Sequence, residues 1–162
     1  METLSSLLNI LPQEGRLCWI GLRPLRLGPI AIVSEAEIVA ERGLVGDHRF
    51  DGRLGSKRQV TLIQHEHLAA VAGMLHRKDV QPELVRRNLV VSGINLLALK
   101  GKQFLVGDVV LEHSGPCEPC SRMETVLGPG GYNAMRGHGG ITAKVLQGGT
   151  IRIGDVVRVK MG

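Results

Sequence analysis

The sequence predicts a mainly β protein, one small barrel with flanking helices, and three observations predict it. Apolar residues make up 43% of the 162 residues while aromatic residues make up 2%, so any core is built from Val, Leu and Ile, types that favour strands. The 22 glycines and seven prolines cut the chain into short runs separated by turns. Two of those runs, "FLVGDVVLE" (104–112) and "IRIGDVVRV" (151–159), echo each other, each placing Gly-Asp inside an apolar, β-branched stretch. They read as tight strand connections in a small barrel.

The elements follow in order. Leu4, Leu7, Leu8 and Leu11 recur at helical spacing, which predicts a short docking helix. The opening has no basic first segment and no long apolar run, and Glu2 is acidic, so it does not read as an export signal. From Leu17 to Phe50 strands alternate with Gly and Pro breaks: Ile30, Ile32 and Val33 form one apolar run, Ile38 and Val39 another, and "GLVGDH" turns the chain. "RQVTLIQ" (58–64) is β-branched at Val60, Thr61 and Ile63 and predicts a strand. Leu68, Val71, Ala72 and Leu75 then fall at i, i+3, i+4 and i+7, an amphipathic helix. "PELVRRN" predicts a helical turn, "NLVVSGINL" a strand ending at Gly93, and "GPGGYNAMRGHGG" a mobile loop too rich in glycine to pack. No interdomain linker is evident, so the whole reads as one domain.

The formal charge of +5 admits nucleic acid, an anionic surface or a phosphorylated small molecule. The arginines are dispersed and carry no interleaved aromatics, so a nucleic-acid partner is not expected. No stretch approaches the roughly 20 apolar residues of a membrane span, and a cytoplasmic protein without a membrane partner is expected. An odd number of cysteines in such a chain favours free thiols or ligands over disulfides.

Several side-chain patterns carry chemistry. "HEHLA" places Ala69 where a metalloprotease helix needs its second histidine, so that motif fails. The loop "RGHGG" (136–140) can expose backbone N–H groups to an anion. Arg86, Arg87 and Asn88 offer paired guanidinium groups beside an amide, able to clamp a phosphate or carboxylate. Cys117 and Cys120 in "GPCEPCSRM" admit three readings. They supply half of a zinc site, which His113 and His138 would complete. They form a redox dithiol, although Pro119 and the loop beyond fit that poorly. Or one of them is a single reactive thiolate, with Arg122 nearby favouring its charged form. Spacing does not rank these.

Taken together, "GLVGDH", "RQVTLIQHEHL", "LVRRNLVVSGINLLALKGKQFLVGDVVLE", "GPCEPCSRM" and "GGTIRIGDVVRV" resemble, in this order, the MOSC domains, named for the C-terminal part of molybdenum-cofactor sulfurase. The resemblance runs from about Ile30 to Lys160, and its specific part is the Arg-x-Asn block followed by Gly-Asp and Pro-Cys. It implies a MOSC-type, pyruvate-kinase-barrel-like β-barrel over 28–162, preceded by a lead-in with a short helix over 1–27. It further implies a molybdenum cofactor (molybdopterin) whose metal is ligated by the thiolate of Cys120, with Arg86 and Asn88 at the anionic pterin phosphate. Arg58 and Arg122 are further candidate anion contacts. Relatives among the amidoxime-reducing enzymes remove oxygen from N-hydroxylated compounds. The resemblance therefore implies an oxidoreductase acting on a small molecule, fed by a separate electron-donor protein, with His138 as a candidate proton donor. The alternative is a non-enzymatic carrier of cofactor or sulfur, bearing a persulfide on Cys117 or Cys120.

Overall fold

The computed structural model describes residues 3–161; Met1, Glu2 and Gly162, at the ends of the two expected segments, lie outside the described residues. Eleven strands appear in the order β1 (Gly15–Leu22), β2 (Ala31–Val33), β3 (Glu35–Val39), β4 (Gly43–Leu44), β5 (Val60–Gln64), β6 (Leu89–Ser92), β7 (Gln103–Val106), β8 (Val109–Pro116), β9 (Ile141–Gln147), β10 (Gly149–Arg152) and β11 (Val156–Val159). Five short helices accompany them: α1 (Leu4–Leu8), α2 (His65–Met74), α3 (Pro82–Val85), α4 (Arg122–Leu127) and α5 (Gly131–Met135).

Seven strands close into a mixed barrel in the order β11-β7-β8-β9-β5-β6-β1, sealed by the pairing of β1 with β11. Among the described residues only β5 and β6 run parallel, and α2 and α3 form the crossover that a parallel pair requires. A second sheet, β10-β3-β4, lies apart from the barrel ladder. Every residue of β5 is buried because both of its faces are covered. Val60 and Leu62 join Leu89, Val91, Phe104 and Leu111 in one core cluster, while Ile63 and Val90 pack with Leu68, Val71, Met123 and Met135 in the other. Strand alternation thus sends successive residues of β5 to the barrel interior and to the layer beneath the helices.

Three expectations change. The lead-in over 1–27 is not separate from the barrel: β1 lies within it, pairing with β6 and β11. Its helix α1 is capped by Thr3 and Ser6 but buries no residue; of Leu4, Leu7, Leu8 and Leu11, Leu11, beyond the helix end, is the one that packs on the barrel core. Five residues bury too little apolar area to dock. The two Gly-Asp echoes also differ. Gly107-Asp108 turns the β7–β8 hairpin, whereas Gly154-Asp155 carries the chain from the small sheet into the barrel at β11. Both glycines sit at positive φ, 58° and 97°, where a side chain would be strained.

Candidate functional site

The outer surface of β5 and β6 continues into a layer of buried polar groups. Asn88, just before β6, and Thr61 point to the same side as Ile63 and Val90. The Asn88 side chain is saturated: its oxygen accepts from Thr61 N (3.1 Å) and Arg23 Nη2 (3.2 Å), and its nitrogen donates to Gly21 O and Asp47 Oδ1, both at 3.0 Å. Arg23 donates from Nε to Asp47 Oδ1 (3.1 Å) and from Nη2 to Oδ2 (3.2 Å). Both side chains are nearly inaccessible. Asp47 also caps the 3-10 turn over His48–Asp51 through Arg49 N. Burial alone would raise the Asp47 carboxyl, but the hydrogen bonds and charge of Arg23 outweigh it and hold the group below the usual aspartate range. Asn88, expected at a phosphate, therefore has no free face; it is a strut joining β1, β5, β6 and the Asp47 turn.

The arginines around this strut are different. Arg86 adopts the left-handed conformation between α3 and β6 (φ 58°) and anchors its guanidinium on the carbonyls of Gly28 (2.6 Å) and Arg26 (3.1 Å). Burial, followed by repulsion from Arg122 and Arg23, lowers its affinity for its proton. Arg87 is buried and meets no carboxylate among the described residues; it donates to Gly139 O (2.8 Å), Val85 O (2.9 Å) and Cys117 O (3.3 Å). Burial is again the first cause that pushes its proton affinity down, and Arg58 and Arg23 add to it. Arg58, half-buried, and Arg122, half-buried, each hold a buried Nε–H that meets no acceptor among the described residues. Several guanidinium groups therefore act on one another, and Asp47 offsets part of that repulsion at Arg49 and Arg86.

The two cysteines are unequal. Cys117 is buried, its N–H donating to Gly140 O (2.9 Å) and its carbonyl held by Arg87. Cys120 is exposed and free, three residues on, where Pro119 is buried and α4 is about to start. No group of three or more His, Cys, Asp or Glu fit to hold a metal occurs among the described residues, so the four-ligand zinc arrangement of Cys117, Cys120, His113 and His138 is not assembled.

The glycine-rich segment packs rather than moves freely. It forms α5, with Ala134 and Met135 buried. Glu124 of α4 holds it by accepting from Gly130 N and Tyr132 N, both at 3.0 Å. A Cβ on Gly139 would collide with the Cys117 carbonyl oxygen, and one on Gly140 with that of Leu62; glycine is required by this close approach. His138 sets its Nδ1 3.2 Å from Ala134 O and its ring edge-on to His67, centroids 4.8 Å apart. A cavity of about 750 Å³ takes in Gly137, Gly139, Gly140, Cys117 and Glu118 but neither Cys120 nor the arginines. The arginine cluster and the cavity are thus separate features that meet at the Cys117–Glu118 backbone.

Sequence reasoning placed Cys120, Arg58, Arg86 and Arg122 as candidate contacts, and the structure gathers the three arginines with Arg23, Arg49 and Arg87 into one electrostatic cluster. It missed Arg23 and Asp47, and gave Arg87 only as part of the Arg86–Asn88 clamp. Asp47 had a signal in "GLVGDH", as a capping residue; Arg23, beside a proline, had none.

A family model for the MOSC domain matches residues 49–158. The chain belongs to the MOSC domain family, a family associated with molybdenum cofactor binding. Solved structures agree on the MOSC-type fold. The YuaD protein from Bacillus subtilis is 18% identical, with 93% of this chain and 98% of that chain covered and a TM-score of 0.78. YiiM from Escherichia coli is 19% identical over 91% of this chain and 70% of that one, with a TM-score of 0.69. YiiM from Geobacillus stearothermophilus is 16% identical over 91% and 75%, with a TM-score of 0.68. Comparison with the curated proteins finds no match. Among the described residues of this MOSC protein, no helix is long and apolar enough to cross a membrane.

The Glu124 clasp has a measurable pH signature. The N–H groups of Tyr132 and Gly130 hold its carboxyl below the usual glutamate range. Those bonds exist only in the folded chain, so the folded value lies below the unfolded value of about 4.3. The stabilisation is therefore complete above that pH and is lost as pH falls through the folded value. Urea unfolding of wild type and Glu124→Gln should differ by a constant amount from pH 7 down to about 5, and the difference should shrink as pH falls further through the folded value.

Proposed function

We propose that this chain is a molybdenum-cofactor protein that reduces N-hydroxylated compounds, with Cys120 as the metal ligand. The observation that carries the reading is the pair of buried Nε–H groups on Arg58 and Arg122 that meet no acceptor among the described residues. A buried donor left unmade costs about 1–3 kcal/mol, and an anionic, phosphate-bearing group is the chemistry that repays it, since guanidinium groups bind phosphate in charge-assisted pairs. The exposed thiol of Cys120 supplies a soft ligand of the kind molybdenum takes. These residues fit the cofactor that the family is associated with.

When bound, the cofactor supplies the two-electron chemistry by which an N–OH compound, two electrons and two protons give an N–H compound and water. The rest falls to the protein. Arg58, Arg122 and the outer face of Arg86 hold the anionic group. The Arg23–Asp47–Asn88 strut fixes the backbone from which Arg86 extends, through the bond from Arg23 Nη1 to Arg86 O at 3.2 Å. His138 has its Nδ1–H turned to Ala134 O, so it would give a proton to the departing oxygen from Nε2 of the imidazolium form. A separate electron-donor protein provides the electrons.

The non-enzymatic carrier is the second reading, favoured by the exposure of Cys120; Cys117 is too buried to act as a shuttle. The test is expression in a host that makes the cofactor, followed by metal analysis and turnover of an N-hydroxylated base with a reducing partner. Molybdenum together with turnover supports the reductase; molybdenum or an added sulfur by intact mass, without turnover, supports the carrier; neither overturns both. Arg58→Ala and Arg122→Ala should each lower the bound cofactor about tenfold. Arg152→Ala, which removes only an exposed pair with Glu35, should leave it unchanged.

A further inference from the structure

The cavity beside the Cys117–Glu118 backbone has chemistry of its own. Its volume of about 750 Å³ lies within the range of small-molecule pockets. Leu96, Leu97, Pro116 and Ile141 give it apolar walls, and glycines at 137, 139 and 140 leave one wall as bare backbone suited to a flat face. Two imidazoles line it, His67 from α2 and His113 from β8, and the His67 ring meets the His138 ring edge-on. Burial pushes both below the ordinary histidine range. For His67 the charge of His138 adds to this and Glu66 opposes it; for His113 a backbone hydrogen bond opposes it and Lys100 adds to it. A neutral imidazole both donates and accepts. Lys100 and Glu118, both exposed at the rim, disfavour a cation and an anion respectively.

We infer that this cavity is a binding site for a small, flat, uncharged molecule carrying a polar edge that both donates and accepts, such as an aromatic carboxamide. Its apolar face lies on the leucines and the glycine backbone, and its polar edge meets His67 and His113. The site goes beyond the molybdenum reading and does not need it, because no arginine of the cluster lines it.

The test uses the full, cofactor-free chain, so a failure to find molybdenum leaves its result untouched. Benzamide, benzamidine and benzoate share a ring and differ in charge at neutral pH; each is titrated while backbone amide resonances are followed. Benzamide is expected to saturate, with shifts centred on residues 95–101, 113–118 and 137–141, and the two charged probes to bind at least about tenfold more weakly. Leu97→Trp, at a wall position that is 69% exposed and outside the core, should lower benzamide affinity by about tenfold by filling the space. His113→Phe keeps a ring and removes both nitrogens, and should lower it by about fivefold. Absence of saturation, shifts centred elsewhere, equal or tighter binding of a charged probe, or affinity unchanged in both variants overturns the inference.

Discussion

Asp47→Ala is expected to cost about 3–5 kcal/mol of folding stability, the range for removing one partner of a buried ion pair. The carboxylate is met by Arg23 from N, Nε and Nη2, by Asn88 from Nδ2 and by Arg49 N. Without it the Arg23 guanidinium stays buried with only Asn88 Oδ1 and Arg86 O as acceptors. Domains are stable by about 5–15 kcal/mol, so the variant should show a urea midpoint far below that of wild type. Arg23→Met combined with Asp47→Leu should cost less than the two single changes added together, because no charge is then left stranded. A single variant within about 1 kcal/mol of wild type would show that the strut does not hold the fold. The loss has a consequence for the site, since Arg23 fixes the Arg86 carbonyl and hence the backbone that aims the arginine cluster.

The strut also shows why part of the site was hidden in the sequence. The strands, the α2 helix and the β7–β8 turn were legible because hydrophobic period and turn chemistry are local. Val60, Thr61 and Ile63 announced β5, and Leu68, Val71 and Ala72 announced the face of α2 that is buried. Asn88 was legible as a residue of interest, but its partners come from 21, 23, 47 and 61, and no pattern in one sequence brings those positions together. The closure of the barrel by β1 was lost for the same reason: the pairing of Gly15 with Val157 spans the chain, and nothing near Gly15 announces it. The segment 128–140 misled in the opposite direction. Its glycines suggested looseness, whereas Gly139 and Gly140 are there because Cys117 and Leu62 press against them. Glycine marks close approach as often as freedom.

Cys120→Ala should abolish molybdenum binding in protein made with the cofactor available, while leaving the melting temperature of the cofactor-free chain unchanged. The side chain is exposed, and the backbone carbonyl, which accepts from Met123 N at 3.0 Å, is untouched by the substitution. Nothing structural is removed, so any loss of metal reports the thiolate itself. Cys117→Ala is the matched control and should behave in the opposite way. Its sulfur is buried in the core, and its deletion should cost about 1 kcal/mol, as for removal of one buried heavy atom. Its carbonyl remains to be held by Arg87, so the turn keeps its shape and the metal stays. Metal analysis and thermal unfolding of both variants beside wild type separate the two roles. Retention of molybdenum in Cys120→Ala would remove Cys120 as the ligand, and loss of molybdenum in Cys117→Ala without loss of fold would move that role to the buried cysteine. The spacing of the pair treats the two sulfurs alike; burial is what divides them, one thiol enclosed in the residue whose carbonyl Arg87 holds and the other turned to solvent.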